Sequence, residues 1–145
     1  MIRFVFVISK VGKTRLSRYY EAVEDAERTR IRKELELMVS TTRKSPSTAI
    51  KEWDQYKLVM RRYASLTIIF CLDFKSNELL ALEAIHHFVE TLDRYFGSVC
   101  ELDLICNVSA AYYVLDQLII DGVVQEGVTN KTSVQRVLAM HNDAK

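Results

Sequence analysis

A few groups of side chains in this chain have residue types that could do chemistry, and their spacing tests each one. Gly12-Lys13-Thr14 has the ending of a phosphate-cradling loop. Such a loop needs an earlier glycine at the place where Val7, a bulky residue of an apolar run, stands. The triplet therefore reads as a turn between two strands. His86 and His87 are neighbours, so on a helix they point about 100° apart and cannot share one metal as an i, i+4 pair could. His86 lies near an apolar stripe and reads as a structural histidine. Glu83 and Glu90 lie on that helix with nothing predicted nearby to raise either pKa, so they read as a solvated face rather than an acid–base pair.

The sulfur chemistry is equally sparse. Cys71, Cys100 and Cys106 are an odd number without CxxC spacing, and all have apolar neighbours. They are expected to be buried free thiols, not a disulfide framework or a zinc site. No GxSxG, HExxH, GxGxxG or Cys–His nucleophile context occurs, and four glycines leave little material for a catalytic loop. No cofactor, no metal and no enzymatic activity are expected. Tyr56, Lys57, Arg61, Arg62 and Tyr63 interleave aromatic and basic residues, but they fall on a strand in a chain whose net charge is +1. A nucleic-acid partner is not expected.

The elements that must carry these residues follow from the apolar patterning. With 145 residues, 49% hydrophobic and 27% charged, the chain has the balance of one folded domain, expected over residues 1–145. Ile2 to Ser9 has apolar residues at both parities, as suits a strand covered on both faces. A second strand is expected at Thr14 to Tyr19 and a helix from Glu24 to Thr41, with Ile31, Leu35, Met38 and Val39 inward. After a loop around Pro46 come strands at Ala49–Trp53, Tyr56–Tyr63 and Leu66–Asp73. Ser76 or Asn77 is placed to cap the next helix. Helices are expected from Glu101 to Asn107, from Ser109 to about Ile120 with Asp121-Gly122 as its cap, and more weakly from Ser133 to His141. This order predicts an α+β fold with an antiparallel sheet.

The segment Glu83–Asp103 is the most distinctive. Leu82, Ile85, Val89, Leu92 and Phe96 recur at steps of three and four, which marks one face of a helix. Phe88 and Tyr95 widen that face, Gly97 breaks the helix, and Val99 follows. The surplus of apolar surface points to a face that a partner covers.

Several motifs then point one way. Met1-Ile-Arg-Phe4, Gly12-Lys-Thr-Arg-Leu16, Tyr56-Lys-Leu-Val59, Arg61-Arg-Tyr-Ala-Ser-Leu66, Glu83-Ala-Ile-His86 and Tyr95-Phe-Gly-Ser-Val-Cys-Glu-Leu-Asp103 occur in order. Over about residues 1–120 the chain resembles the small (sigma) subunits of heterotetrameric clathrin adaptor complexes. The resemblance implies a longin-like fold, a five-stranded antiparallel sheet flanked by helices, with additional C-terminal helices. It also implies packing against the trunk of a large adaptor subunit, in a heterotetramer with a second large and a medium subunit. Contact with clathrin would be indirect. Contact with coated-vesicle, Golgi, endosomal or plasma membranes would come through the complex, from the cytoplasmic side.

The resemblance further implies a cargo site for tails of the type acidic-x-x-x-Leu-Leu/Ile. Arg15 matches the basic residue that meets the acidic group. Ala64, Leu66, Val89, Val99 and Leu104 match positions lining the two leucine pockets, and Ser98 matches a polar neighbour of the peptide backbone. Leu82, Ile85, Leu92 and Phe96 are then expected to hold the fold, while Val89, Ser98 and Val99 face cargo. The Arg43–Thr48 loop is one residue longer than in the endocytic member, Thr67 replaces an aromatic, and Ile105–Ala110 departs from the usual run. Two other readings compete: a purely architectural subunit, as in a COPI zeta-like coat protein, and a longin-type regulatory domain. The second normally precedes a coiled coil and anchor, for which this sequence has no heptads.

Overall fold

The computed structural model describes residues 1–41 and 47–125. Strands β1 (Ile2–Ser9) and β2 (Thr14–Tyr19) are followed by helix α1 (Asp25–Thr41), then by β3 (Thr48–Trp53), β4 (Tyr56–Tyr63) and β5 (Leu66–Asp73). Helices α2 (Glu78–Phe96), α3 (Glu101–Cys106) and α4 (Val108–Leu118) come next, and a small hairpin, β6 (Ile119–Ile120) and β7 (Val123–Val124), follows them. The five long strands form one sheet in the order β2-β1-β5-β4-β3, with every neighbouring pair antiparallel. The α+β fold expected from the sequence is the one observed.

Burial explains why the central strands read as continuous apolar runs. On one face Phe6, Ile8, Leu58, Met60, Ile69 and Cys71 pack with Ile31, Leu35 and Val39 of α1. On the other, Val5, Val7, Val59, Leu66, Ile68, Phe70 and Leu72 pack with α2, α3 and α4. Apart from half-buried Arg3 and Asp73, each residue of β1 and β5 is thus inside whichever way it points. Ile2 and Phe4 should share a face by alternation, yet they join opposite cores. A register irregularity between them accounts for the switch.

The caps of α2 are set by local chemistry. Asn77 is the N-cap, its Oδ1 accepting the Leu79 N–H at 2.9 Å. Gly97 ends the helix at φ 76°, and its N–H donates to the Asp93 carbonyl at 2.7 Å. A Cβ there would meet nothing within 4 Å, so the left-handed backbone alone calls for glycine.

Four expectations are corrected. Helix α4 stops at Leu118, and Asp121-Gly122 turns a hairpin rather than capping a helix: both residues have positive φ, 53° and 82°. The β-branched pairs Ile119-Ile120 and Val123-Val124 pair across it, as a type I′ turn allows. Cys100 and Cys106 are exposed and only Cys71 is buried, because short α3 turns only Leu104 fully inward. His86 is the outer histidine, with a side chain 58% exposed beside Glu90, whereas the His87 side chain is the more covered one. Leu82 and Phe96 are only half-buried, packed on the edge of the core that Ile85 and Leu92 occupy. The expected helix at Ser133–His141 lies outside the described residues.

Candidate functional site

The turn at Gly12 holds no phosphate geometry. The Thr14 N–H donates to the Glu36 carboxylate at 3.0 Å, and a Cβ on Gly12 would approach the Glu36 carbonyl at 3.1 Å. The Gly12 N–H donates to the Ser9 carbonyl at 2.9 Å and the Lys13 N–H to Ser9 Oγ at 3.1 Å, so these donors are taken and the triplet completes the β1–β2 turn packed on α1. Among the described residues no group of three or more His, Cys, Asp or Glu side chains converges to hold a metal ion.

The residues implied by the family resemblance converge on the helical side of the sheet. Leu66 opens β5, Val89 lies in α2, Val99 follows the Gly97 break and Leu104 lies in α3; all four join one apolar cluster. Ala64 stands at the β4–β5 turn with φ 52°, exposed at the rim. Ser98, also exposed, is held at φ 113°, a conformation that side chains rarely adopt.

Arg15 projects from β2 onto α3. Its Nε donates to Glu101 Oε1 at 2.7 Å, and Nη2 stands at ion-pair distance from the same oxygen, also 2.7 Å. The side chains are 26% and 27% exposed, so this pair is partly shielded rather than fully solvated. Tyr112 of α4 fixes the strand that carries Arg15. Its hydroxyl donates to the Ser17 carbonyl at 2.9 Å and accepts the Ser17 N–H at 3.1 Å. One hydroxyl thereby satisfies both outward groups of an edge-strand residue. Arg18 adds an ion pair with Asp116 at 2.6 Å.

The expected outward orientation of Val89 and Val99 is not found. They are 7% and 3% exposed, and Leu66 and Leu104 are covered as well. The cause is a polar clamp that the sequence reading missed. Asp93 Oδ1 accepts the Val99 N–H at 2.8 Å, Oδ2 accepts the Tyr63 hydroxyl, and the Asp93 carbonyl accepts the N–H groups of Gly97 and Ser98 at 2.7 and 3.2 Å. The hydrogen bond to Asp93 also pushes the Tyr63 phenol above its ordinary range. Asp93 thus ties α2, β4 and the Gly97–Val99 segment together and draws Val99 inward. A signal was present in the sequence: an aspartate in the last turn of a helix opposes the dipole and invites a specific reason.

A small cavity of about 150 Å³ reaches Val89 beneath Arg61, Tyr63, His86, Glu90 and Asp93. A larger one, about 770 Å³, lies on the α1 side near Arg3, Glu21, Arg30 and Trp53. It is remote from the candidate residues, and both of its arginines are already engaged with carboxylates. Size alone does not mark the site here.

Comparison with known proteins agrees with this fold. The family model for the clathrin adaptor complex small chain matches residues 1–145. The chain is 46% identical to the AP-1 complex subunit sigma-2 of Dictyostelium discoideum, over 96% of its own length and 88% of that protein. It is 44% identical to human AP-1 complex subunit sigma-1A, over 95% and 85%. To the AP-2 complex subunit sigma of Schizosaccharomyces pombe it is 42% identical, over 97% of each. Its fold also matches a chain of a structure described as a homology model of the full-length AP-3 complex in a stretched open conformation. That match has a TM-score of 0.76 and 26% identity, covering 99% of this chain and 95% of the other. The AP-1 and AP-2 relatives differ by only a few per cent in identity. No helix among the described residues is long and apolar enough to cross a membrane. The chain belongs to the clathrin adaptor complex small chain family.

Proposed function

We propose that this chain is the small subunit of a heterotetrameric vesicle adaptor, packed on the trunk of a large subunit, and that it takes part in reading acidic dileucine signals in cargo tails. The observation that carries the reading is the convergence of Leu66, Val89, Val99 and Leu104 in one cluster, with Arg15 tied to Glu101 at the start of α3. Ala64 and Ser98 lie at the rim. Burial of each ligand leucine would contribute roughly 1.5–3 kcal/mol before ordering costs, for an affinity on the order of micromolar. Exposed Leu102 and Ile105 on α3 offer an apolar contact for the large subunit. The complex, rather than this chain, would supply the contacts to clathrin and to the membrane.

Because the four apolar residues are covered, a leucine side chain enters only after the Gly97–Cys100 segment shifts outward. That same burial favours a second reading, a purely architectural subunit whose apolar cluster is simply core. Peptide binding by the reconstituted core separates the two. Val99→Ser should weaken an acidic dileucine peptide by about tenfold while leaving the complex assembled. An assembled core with unchanged binding would reject the site, and one with no affinity for the peptide at all would favour the architectural reading. Co-expression with large-subunit trunks tests the broader claim, which a stable monomer that ignores all of them would contradict.

A further inference from the structure

Resting on that reading, we infer that Glu101 is a specificity-determining residue: it competes with the acidic group of the ligand for Arg15 and so sets how strongly the site prefers an acidic signal. The geometry is asymmetric. Glu101 Oε1 accepts from Nε of Arg15 at 2.7 Å and lies 2.7 Å from Nη2. Nη1 has no hydrogen-bond partner among the described residues, so one side of the guanidinium fork is open to a second carboxylate. Arginine has donors enough for two acids at once.

The two acids would nevertheless repel each other. A ligand carboxylate arriving at Nη1 meets an arginine whose charge is already balanced, with Glu101 on the other side of the same planar group. The ligand must either displace Glu101, exchanging one ion pair for another, or share Arg15 against like-charge repulsion. In both cases the acidic group gains less than it would from an unpaired arginine. A neutral ligand residue at that place loses nothing to Glu101. The contact therefore lowers the discrimination between acidic and neutral tails while leaving the leucine pockets untouched.

Glu101 is well placed for this role without being needed for the core. Its side chain is about a quarter exposed, on the first residue of α3, whereas Leu104 is the buried anchor of that helix. The Cys100 N–H at the helix start is held by Asp103 Oδ2 at 2.9 Å, not by Glu101. Glu101→Gln keeps the shape and removes the charge, and Glu101→Asp keeps the charge but draws it back from Arg15.

The test uses the reconstituted heterotetrameric core and two synthetic peptides, Glu-x-x-x-Leu-Leu and Gln-x-x-x-Leu-Leu, titrated by calorimetry at low and at physiological salt. In the wild type the acidic peptide should bind only modestly more tightly. Glu101→Gln should raise the acidic-over-neutral ratio by about threefold or more at low salt, with the neutral peptide unchanged and the gain shrinking as salt rises. Glu101→Asp should give an intermediate ratio, and Arg15→Gln should abolish the difference in every background. If both peptides bind and the ratio stays the same in Glu101→Gln, the inference is wrong while the cargo reading stands. If neither peptide binds the wild-type core, the cargo reading fails and takes this inference with it.

Discussion

Cys71 lies in the apolar layer between the sheet and α1. Burial pushes its thiol up to about 12, so at neutral pH it is almost entirely protonated and out of reach. Cys100 and Cys106 have the same kind of apolar neighbours in sequence but stand on the outside of α3. Native protein should therefore titrate two thiols rapidly with Ellman's reagent and release the third only in denaturant; three fast thiols would contradict the packing. Ser98 belongs to the same scale. At φ 113° it is held where glycine is most at ease, so Ser98→Gly should raise stability by about 0.5–1 kcal/mol in urea unfolding. Nothing in the residue types hints at that strain, because a positive φ at a serine is imposed by the clamp on either side of it.

The elements were mostly readable, and the failures have physical reasons. β1 and β5 announce themselves because both of their faces are buried. Asp121-Gly122 was ambiguous because Asp-Gly serves both helix ends and type I′ hairpins, and only the β-branched pairs on each side decide between them. That hairpin is tied to β1 through the Ile2 N–H, which donates to the Gly122 carbonyl at 2.8 Å. Gly122→Ala would place a Cβ 2.5 Å from the Ile2 carbonyl at φ 82°. It should cost about 2 kcal/mol or more in thermal or urea unfolding. Asp93 could not be read from periodicity, since its work lies in long-range hydrogen bonds to Tyr63 and the Val99 backbone. Asp93→Ala should destabilise the fold by about 2–3 kcal/mol, because it strands a buried N–H and removes a charged acceptor. Tyr63→Phe should cost less, since it removes only one hydrogen bond of the clamp. Equal, negligible effects of the two in urea melts would show that the clamp does not hold the segment.

At the scale of the whole molecule, the candidate site was legible only as a set. No single residue among Arg15, Ala64, Leu66, Val89, Ser98, Val99 and Leu104 carries a chemical signature, and the apolar members look like ordinary core. Their convergence beside the Arg15–Glu101 pair is a property of the topology, which brings β2, the β4–β5 turn, α2 and α3 to one place. The covered state of Val89 and Val99 makes opening of the Gly97–Cys100 segment part of the cost of binding, so affinity should rise when the Asp93 clamp is weakened without unfolding the chain. The most direct measurement is calorimetric titration of the assembled adaptor core containing this chain with a Glu-x-x-x-Leu-Leu peptide and with its Ser-Ser counterpart. Changing the ligand rather than the protein leaves the fold out of the comparison. We predict binding of the Leu-Leu peptide on the order of micromolar and no measurable binding of the Ser-Ser peptide. Equal affinity for the two, or none for either, would contradict the cargo-reading role.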